Sequence, residues 1–225
     1  MKYQPSGKIF LAAGLTVLLA ACASDPSIDQ RVDAKNDAGL YPVENSRLDE
    51  MFVDIETDFK GFTQVYVAPL DTSIAEVDYD ADVREWRSRD WQLSEKDKTG
   101  LTEMFEQSVS SKFDVTGVSL VDEPGAGVLV VEPTLKKLEP AAPKDTFSER
   151  DPGSKYFSEG AGKVTLAFDF KDGGTGKLIA TAMDRRDAGT EWQRNTAIHN
   201  RWEVQRLFNR WVSMFDQSLE RIQQQ

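Results

Sequence analysis

The spacing of apolar residues predicts the first strand and the first helix of this chain. Phe62 to Leu70 is rich in β-branched and aromatic residues, which favour a pleated, half-buried strand. Ser94 and Asp97 have the spacing of a capping box, with Asp in place of the usual Glu. Apolar residues then recur every three or four positions as far as about Lys112, which predicts a helix. The chain between Ile74 and Gln92 shows neither period and is expected to be irregular or weakly helical.

Four further segments have the composition or the alternation of β-strands. They run over Val118–Val121, Gly127–Leu138, Val164–Phe170 and Leu178–Met183. Pro133, in the second of them, cannot donate a ladder hydrogen bond and therefore predicts an edge or a bulge. Glycine-rich residues 171–177 join the last two strands and predict a hairpin. Residues 139–159 contain three prolines and are expected to form a long loop.

The last predicted element is a long amphipathic helix from about Thr196 to Ile222. One apolar stripe along it, at about 100° per residue, is predicted to be core. Its members are Val204, Leu207, Phe208, Trp211, Met214, Phe215, Leu219 and Ile222. Ile198 and Trp202 lie off this stripe and are four positions apart, so they contact each other, and Arg206 lies one turn further along. Either the segment from Met51 to Phe59 covers this patch, or the patch is exposed and docks a partner.

The predicted order of elements is β-α-β-β-β-β-α, and it indicates the fold class. Consecutive strands usually pair, and helices gather on one face of such a sheet. We therefore expect an α+β fold, a two-layer sandwich of a mostly antiparallel sheet with helices on one face. Residues 48–225 are expected to form this single domain, because about 200 residues suffice for one hydrophobic core.

The first residues of the chain have the pattern of an export signal. Met1 to Lys8 is polar and basic, and Ile9 to Ala21 is almost wholly apolar. Thirteen helical residues span only about 20 Å, which is short of a hydrocarbon core of about 30 Å. Residues 1–21 are therefore expected to be a cleaved signal peptide rather than a permanent membrane span.

The segment Leu19-Ala20-Ala21-Cys22 resembles the lipobox of bacterial lipoproteins. The resemblance implies cleavage between Ala21 and Cys22 and lipid attachment to Cys22, the only cysteine of the chain. The alternative is a chance cysteine at the end of an ordinary signal, or a buried free thiol. Lipoproteins of the inner membrane typically carry Asp directly after the cysteine, whereas Ala23 stands here. The resemblance therefore favours the outer membrane, with the domain facing the periplasm, and the covalent lipid on Cys22 is the only cofactor expected.

Residues 22–47 are expected to be the lipidated cysteine and a flexible tether. The segment from Ala23 to about Ser46 is polar, and it has few apolar side chains that could offset the entropy of ordering. A random coil of this length reaches about 25–30 Å, which would lift the domain clear of the lipid head groups.

The charge balance argues against several classes of partner. The chain has 27 basic and 38 acidic residues, and loss of the two leader lysines takes its net charge from −11 to −13. Nucleic acid binding needs clustered cations, and so does adsorption to anionic lipid by charge. Attachment to the bilayer is therefore expected to come from the acyl chains. The oligomeric state is left open.

No residue pattern points to catalysis or to a bound metal. His199 is the only histidine and is expected to be an exposed polar residue. Gly173 to Gly176 lacks the Lys-Ser/Thr end of a phosphate-binding loop and is expected to be a hairpin turn. Asp184-Arg185-Arg186 could bind an anion, but a strand end with a local ion pair is the favoured interpretation. Trp86 to Trp91 combines tryptophan with arginine, as in a structural cation–π contact or a ligand patch.

Two longer segments, Val121–Leu138 and Gly162–Arg186, resemble a family of bacterial lipoproteins named domain of unknown function 3313. The shared features are a Pro-Gly turn, an apolar strand, a proline-rich loop, an alternating strand, a Thr-Gly turn, a closing Asp-Arg and a late tryptophan-bearing helix. Ser46-Arg47-Leu48 and Tyr66 to Pro69 resemble the front end of that family. The resemblance implies an envelope lipoprotein and supplies no catalytic residues.

These observations favour an outer-membrane-anchored lipoprotein that is not an enzyme and acts as a binding or scaffold module in the cell envelope. Its partners would be the lipid bilayer, through the acyl chains, and another envelope protein. Two alternatives stay open at this point. One is an accessory subunit of an envelope transport or secretion complex, and the other is a carboxylate-based cell-wall hydrolase, which needs a cleft with two facing acids.

Overall fold

The computed structural model describes residues 26–78, 92–142, 155 and 157–224. The predicted signal peptide, Ala21, Cys22 and the segment from Trp86 to Trp91 lie outside the described residues. The described residues form an α+β fold, as predicted, with two helices and an open mixed sheet. None of the described helices is both long and apolar enough to cross a membrane.

The described residues contain eleven strands and two α-helices. The strands are β1 (Ser27–Ile28), β2 (Tyr41–Glu44), β3 (Glu50–Val53), β4 (Gln64–Val67), β5 (Glu76–Val77), β6 (Ser119–Leu120), β7 (Val128–Pro140), β8 (Phe157–Glu159), β9 (Gly162–Asp172), β10 (Leu178–Asp187) and β11 (Trp192–Arg194). The helices are α1 (Glu95–Lys112) and α2 (Ala197–Gln224). Of the predicted loop over residues 139–159, Glu139 and Pro140 belong to β7 and residues 157–159 form β8, and most of the residues between them lie outside the described ranges.

Within the described chain, the main sheet has nine strands in the order β1-β2-β3-β10-β9-β7-β4-β6, with β5 beside β7. The pairs from β1 to β7 are antiparallel, as predicted, and β9 and β10 form the predicted hairpin. By contrast, β4 and β5 run parallel to β7, and β6 runs parallel to β4. The two partners of each parallel pair are separated in the sequence by a long stretch of chain that contains α1, as the crossover of a parallel pair requires. A second, two-stranded sheet pairs β8 with β11.

Both helices pack on the same face of the main sheet. Phe105 of α1 and Phe208 of α2 meet edge to face, with their ring centroids 5.5 Å apart. They share a buried cluster with sheet residues such as Leu135 and Leu166. The opposite face carries charged pairs, among them the Lys171 ammonium 2.6 Å from a Glu132 carboxylate oxygen. The apolar stripe predicted for the last helix is confirmed as its packed face.

Local sequence signals fix the start of α1 and the hairpin turn. The Ser94 hydroxyl accepts from the Asp97 N–H at 3.3 Å, and the Asp97 carboxylate accepts from the Ser94 N–H at 3.0 Å, so the predicted capping box is confirmed. The segment from Gly173 to Gly176 is a turn between strands, also as predicted. A Cβ added to Gly173 would lie 2.6 Å from the carbonyl oxygen of Gly125, so this turn packs closely on the start of β7.

The predicted irregularity at Pro133 is confirmed. The Ala68 N–H donates to the Val131 carbonyl at 2.9 Å, and the Asp71 N–H donates to the Pro133 carbonyl at 2.9 Å. The chain beside β7 thus advances by three residues while β7 advances by two, which is the geometry of a bulge. The missing N–H of Pro133 falls within this bulge, where the regular ladder is interrupted.

For residues 26–47 the prediction of a flexible tether, and of a core that starts only at residue 48, is wrong. In the structure, β2 pairs with β3, with Tyr41 opposite Val53, and Leu40 is only 3% exposed. The Asn36 side-chain oxygen accepts from the Leu40 N–H at 3.0 Å, which forms a local turn before β2. The composition concealed this order because turn-forming Asp, Asn and Gly residues resemble the composition of a disordered segment.

Candidate functional site

Large exposed apolar side chains gather where α2 begins and at the two-stranded sheet that immediately precedes it. Phe157, Trp192, Ile198 and Trp202 are 51%, 73%, 72% and 70% exposed. We call these four residues the aromatic end. Single exposed apolar residues are ordinary, whereas a contiguous group of large ones is typical of interaction sites, so these four residues are the candidate site of this chain.

The register of the small sheet explains why two of these side chains point outward. Phe157 lies opposite Arg194, and Trp192 lies opposite Glu159. Successive side chains of a strand point to opposite faces, so these four residues share one face, and all of them are exposed. Ser158 and the residue opposite it, Gln193, point inward.

Buried polar side chains attach the small sheet to α2. Asn195 and Ser158 are both buried, and the Asn195 side-chain NH₂ donates to the Ser158 hydroxyl at 2.8 Å. That hydroxyl donates to the Gly160 carbonyl at 2.7 Å, and the Asn200 side-chain NH₂ donates to the Asn195 side-chain oxygen at 3.1 Å. These bonds link β8, the residue after β11, and α2, so the aromatic end rests on a rigid base.

The first turn of α2 is closed by its own polar residues. The Thr196 hydroxyl accepts from the His199 N–H at 3.2 Å, as an N-cap does. The His199 Nδ1 lies 3.0 Å from the Arg194 carbonyl oxygen, which can only accept, so this contact requires a proton on Nδ1. His199 is exposed, as predicted, and it acts here as a link between β11 and α2.

Gly160 allows the backbone to approach closely beneath the small sheet. Gly160 has φ +65°, and a Cβ added to it would lie 2.2 Å from the Gly189 carbonyl oxygen. The Gly160 N–H donates to the Glu191 carbonyl at 3.1 Å, which brings the end of β8 against the chain that leads to β11. A side chain at Gly160 would therefore separate these segments.

The sequence-predicted patch of Ile198, Trp202 and Arg206 is only partly joined in the structure. Ile198 and Trp202 are both exposed, so the interpretation that Met51 to Phe59 covers them is wrong. Arg206 is also exposed, but its guanidinium pairs with Glu203, with an Nη1–Oε2 distance of 3.2 Å. Sequence reasoning missed Phe157 and Trp192 because helical periodicity carries no information about residues in short strands.

The Asp184-Arg185-Arg186 segment is a strand end held by ion pairs, as predicted. The Arg185 guanidinium forms two hydrogen bonds to Glu139, at 2.5 and 2.8 Å. This pair holds the pKa of Glu139 below its usual value, although partial burial opposes the shift. Arg186 pairs with Asp184. The guanidiniums of both arginines are therefore engaged within the chain.

A groove of about 580 Å³ lies between the start of α1, the start of α2, the end of β7 and the start of β9. Two of its lining residues, Asp97 and Glu139, are acids. Asp97 serves the α1 capping box, and Glu139 is paired with Arg185. A hydrolase of the glycosidase type needs a carboxyl group with a raised pKa, whereas the pKa of Glu139 is lowered, so this groove gives the hydrolase alternative no support.

Among the described residues, no group of three or more His, Cys, Asp or Glu side chains could hold a metal ion.

The fold and this site define a two-layer α+β domain with an exposed aromatic end. The model of the family described as "Protein of unknown function (DUF3313)" matches residues 33–215, and the chain belongs to this family. No curated protein matches the chain at a significant level of sequence similarity.

Several solved structures are similar at low identity. A PelC dodecamer from Paraburkholderia phytofirmans has a TM-score of 0.35 and 10% identity, covering 68% of this chain and 89% of that one. Protein XCC0632 from Xanthomonas campestris, of family DUF330, has a TM-score of 0.39 and 7% identity, covering 72% and 86%. A putative neuraminyllactose-binding hemagglutinin homolog from Helicobacter pylori has a TM-score of 0.38 and 11% identity, covering 75% and 88%.

Proposed function

We propose that the chain is an outer-membrane-anchored lipoprotein whose periplasmic domain docks another envelope protein through the aromatic end. Within this proposal the domain is a binding module and not an enzyme. The observation that carries it is the exposure of Trp192, Trp202, Phe157 and Ile198 on a hydrogen-bonded base.

Exposed tryptophan side chains favour docking for an energetic reason. Tryptophan is among the residues that contribute most to protein interfaces, because its large surface leaves water on binding. A backbone that is already held in place loses little further entropy when the partner arrives. The Asn195–Ser158 and Asn200–Asn195 bonds hold the backbone that carries the aromatic end.

The charges around the aromatic end are of both signs. Arg194 and Arg201 are exposed beside it, and so are Glu159, on the same face of the small sheet, and Glu191, next to Trp192. The charged margin therefore does not select a partner by the sign of its charge, and the apolar centre carries the proposal. If the partner belongs to a transport or secretion machine, the chain is an accessory subunit of that machine.

The first described residue, Pro26, and the aromatic end lie toward opposite ends of α2. Pro26, four positions after Cys22, and Ser218 line the same cavity. Ser218 is 16 residues beyond Trp202 in α2, which corresponds to about 24 Å along the helix. Four residues span at most about 14 Å, so within this proposal a lipid on Cys22 favours an aromatic end that faces away from the membrane, accessible to a periplasmic partner.

Site-specific crosslinking in cells tests the docking proposal. A photoreactive residue at Phe157 or Trp192 should trap one protein, and Trp202→Ala should abolish that product without lowering the unfolding temperature. Val32→Ala, which alters an exposed residue far along the chain, should leave the product intact. Loss of more than about 2 kcal/mol of stability in Trp202→Ala would instead mean that this side chain is core. Unchanged crosslinking in Trp202→Ala would also contradict the proposal.

Membrane fractionation tests the anchor. We expect Cys22→Ala to release the protein from membranes, because Cys22 alone can take the lipid. A processed Cys22→Ala protein that stays firmly in the outer membrane would contradict lipid anchoring.

A further inference from the structure

A separate apolar cavity lies between the two layers, beside the second half of α2. It has a volume of about 130 Å³. The sheet contributes Phe168 and Phe170, α2 contributes Trp211 and Phe215, and the N-terminal segment contributes Val43 and Leu48. The segment that the sequence predicted to be a tether therefore forms one wall of this cavity.

The size and the lining of the cavity select a short apolar group. A buried apolar cavity of about 150 Å³ stays dry and accepts a ring the size of benzene. Water is held poorly in such a space, because each molecule needs two to four polar partners. The cavity thus has room for one aromatic ring or one run of methylene groups, and no room for the two chains of a phospholipid.

The charged lining residues are all cationic. Among the described residues that line the cavity, Arg47 and Arg221 are charged, and neither Asp nor Glu is present. This bias is notable in a chain with 38 acids and 27 bases. The Arg47 Nη1 donates to the Gln217 side-chain oxygen at 2.9 Å, and the Arg221 Nη2 donates to the Ser218 hydroxyl at 3.3 Å. In the described part of the chain neither guanidinium is paired with a carboxylate, so both retain donors for an anion.

We propose that this cavity binds a fatty acid, with the end of its chain among the aromatic rings and its carboxylate at Arg47 and Arg221. The apolar interior stabilises the chain by removing it from water, and guanidinium groups bind carboxylates through paired hydrogen bonds. The proposal is independent of the docking function, because it concerns the other half of α2.

Photolabelling of the full chain in phosphatidylcholine vesicles tests this proposal. The probe is dodecanoate with a diazirine at its methyl end, and the matched control is the dodecanol of the same design. We expect saturable labelling of peptides that contain Phe168 to Phe170 and Trp211 to Ser218, at least tenfold stronger with the acid than with the alcohol. Equal labelling by acid and alcohol, or labelling confined to residues 1–25, would overturn the proposal.

Variants of the two cationic lining residues and of one apolar lining residue sharpen the test. Arg47→Gln with Arg221→Gln should reduce labelling about tenfold, whereas Arg210→Gln, an exposed α2 position outside the lining, should not change it. Val43→Phe enlarges a lining side chain and should reduce labelling at an unchanged unfolding temperature. Within the length that the cavity accepts, each added methylene should raise affinity about fourfold, which corresponds to about 0.8 kcal/mol.

A further variant separates a free fatty acid from the lipid proposed for Cys22. We expect the same labelling of the cavity in the natural chain and in Cys22→Ser. If only Cys22→Ser were labelled, the chain's own acyl group would occupy the cavity, and the proposal of a free fatty acid would be wrong.

Discussion

At the scale of single residues, Asp184 is the most demanding position, because its carboxylate is only 1% exposed. It pairs with Arg186, and it accepts from the Trp211 Nε1 at 2.6 Å and from the Asp49 N–H at 3.1 Å. These partners satisfy the charge, which would otherwise be costly to bury. They also join β10, α2 and the residues before β3, so one side chain connects both layers with the N-terminal segment.

Trp211→Phe tests this connection, because it removes one donor from a buried carboxylate and keeps most of the apolar volume. We expect a loss of about 1–3 kcal/mol in the free energy of unfolding, measured in urea. Trp202→Phe is the matched control, since that side chain is exposed, and it should change stability by less than about 0.5 kcal/mol. Equal effects of the two substitutions would show that Asp184 does not depend on Trp211.

The Glu139–Arg185 pair should contribute stability that depends on pH. The Arg185 hydrogen bonds lower the pKa of Glu139 in the folded chain, so the pair stabilises the fold above the unfolded pKa and is lost as the pH falls through the folded one. Arg185 is partly exposed, and we expect Glu139→Gln to cost about 1 kcal/mol at neutral pH. The difference in free energy of unfolding between Glu139→Gln and the natural chain should shrink below about pH 4. Denaturant titrations at neutral and at acidic pH measure this difference, and a difference that stayed constant with pH would refute the role of the pair.

At the scale of elements, the sequence predicted what local interactions determine. The start of α1, the β9–β10 hairpin and the apolar stripe of α2 each follow from residues within one turn or one strand pair. Strands of two to four residues, such as β1, β2 and β8, carry too few alternations to be recognised, and they form because distant strands accept their hydrogen bonds. For the same reason Ile198 and Trp202 could be predicted from the helix, whereas Phe157 and Trp192 could not.

Because residues 26–47 are folded onto the domain, substitutions there should change its stability, which they would not do in a flexible tether. Leu40 is buried, so Leu40→Ala should cost about 2–5 kcal/mol in the free energy of unfolding. Val32→Ala, in the same segment but largely exposed, should cost less than about 0.5 kcal/mol. If chemical denaturation found the two variants equally stable, residues 26–47 would not pack on the domain.

The close contact between Gly160 and the Gly189 carbonyl, beneath the small sheet, should tolerate no side chain at residue 160. Gly160→Ala should destabilise the domain by more than Gly176→Ala, although both glycines have positive φ. A Cβ at Gly176 meets nothing within 4 Å, so that change costs about 1–2 kcal/mol for the backbone alone. At Gly160 the added atom also collides with the Gly189 carbonyl. Thermal unfolding compares the two, and an equal loss would mean that the β8–β11 sheet shifts freely.

At the scale of the whole molecule, α2 organises the two candidate sites. Its 28 residues extend about 42 Å, with the aromatic end at its start and the apolar cavity along its second half. One helix thus holds both sites at a constant separation. Neither site depends on the polar face of the main sheet, which carries charged pairs such as Glu132 with Lys171.

The two edge strands of the main sheet have a consequence for copies of this protein that are crowded together. In the described chain, the strand order finishes at β1 and β6, and each of these strands is two residues long. An exposed edge recruits strands from other molecules by offering a row of free backbone groups, and so short an edge offers almost none. Copies concentrated on one surface can therefore collide repeatedly without growing into a shared sheet, so high local density need not lead to aggregation.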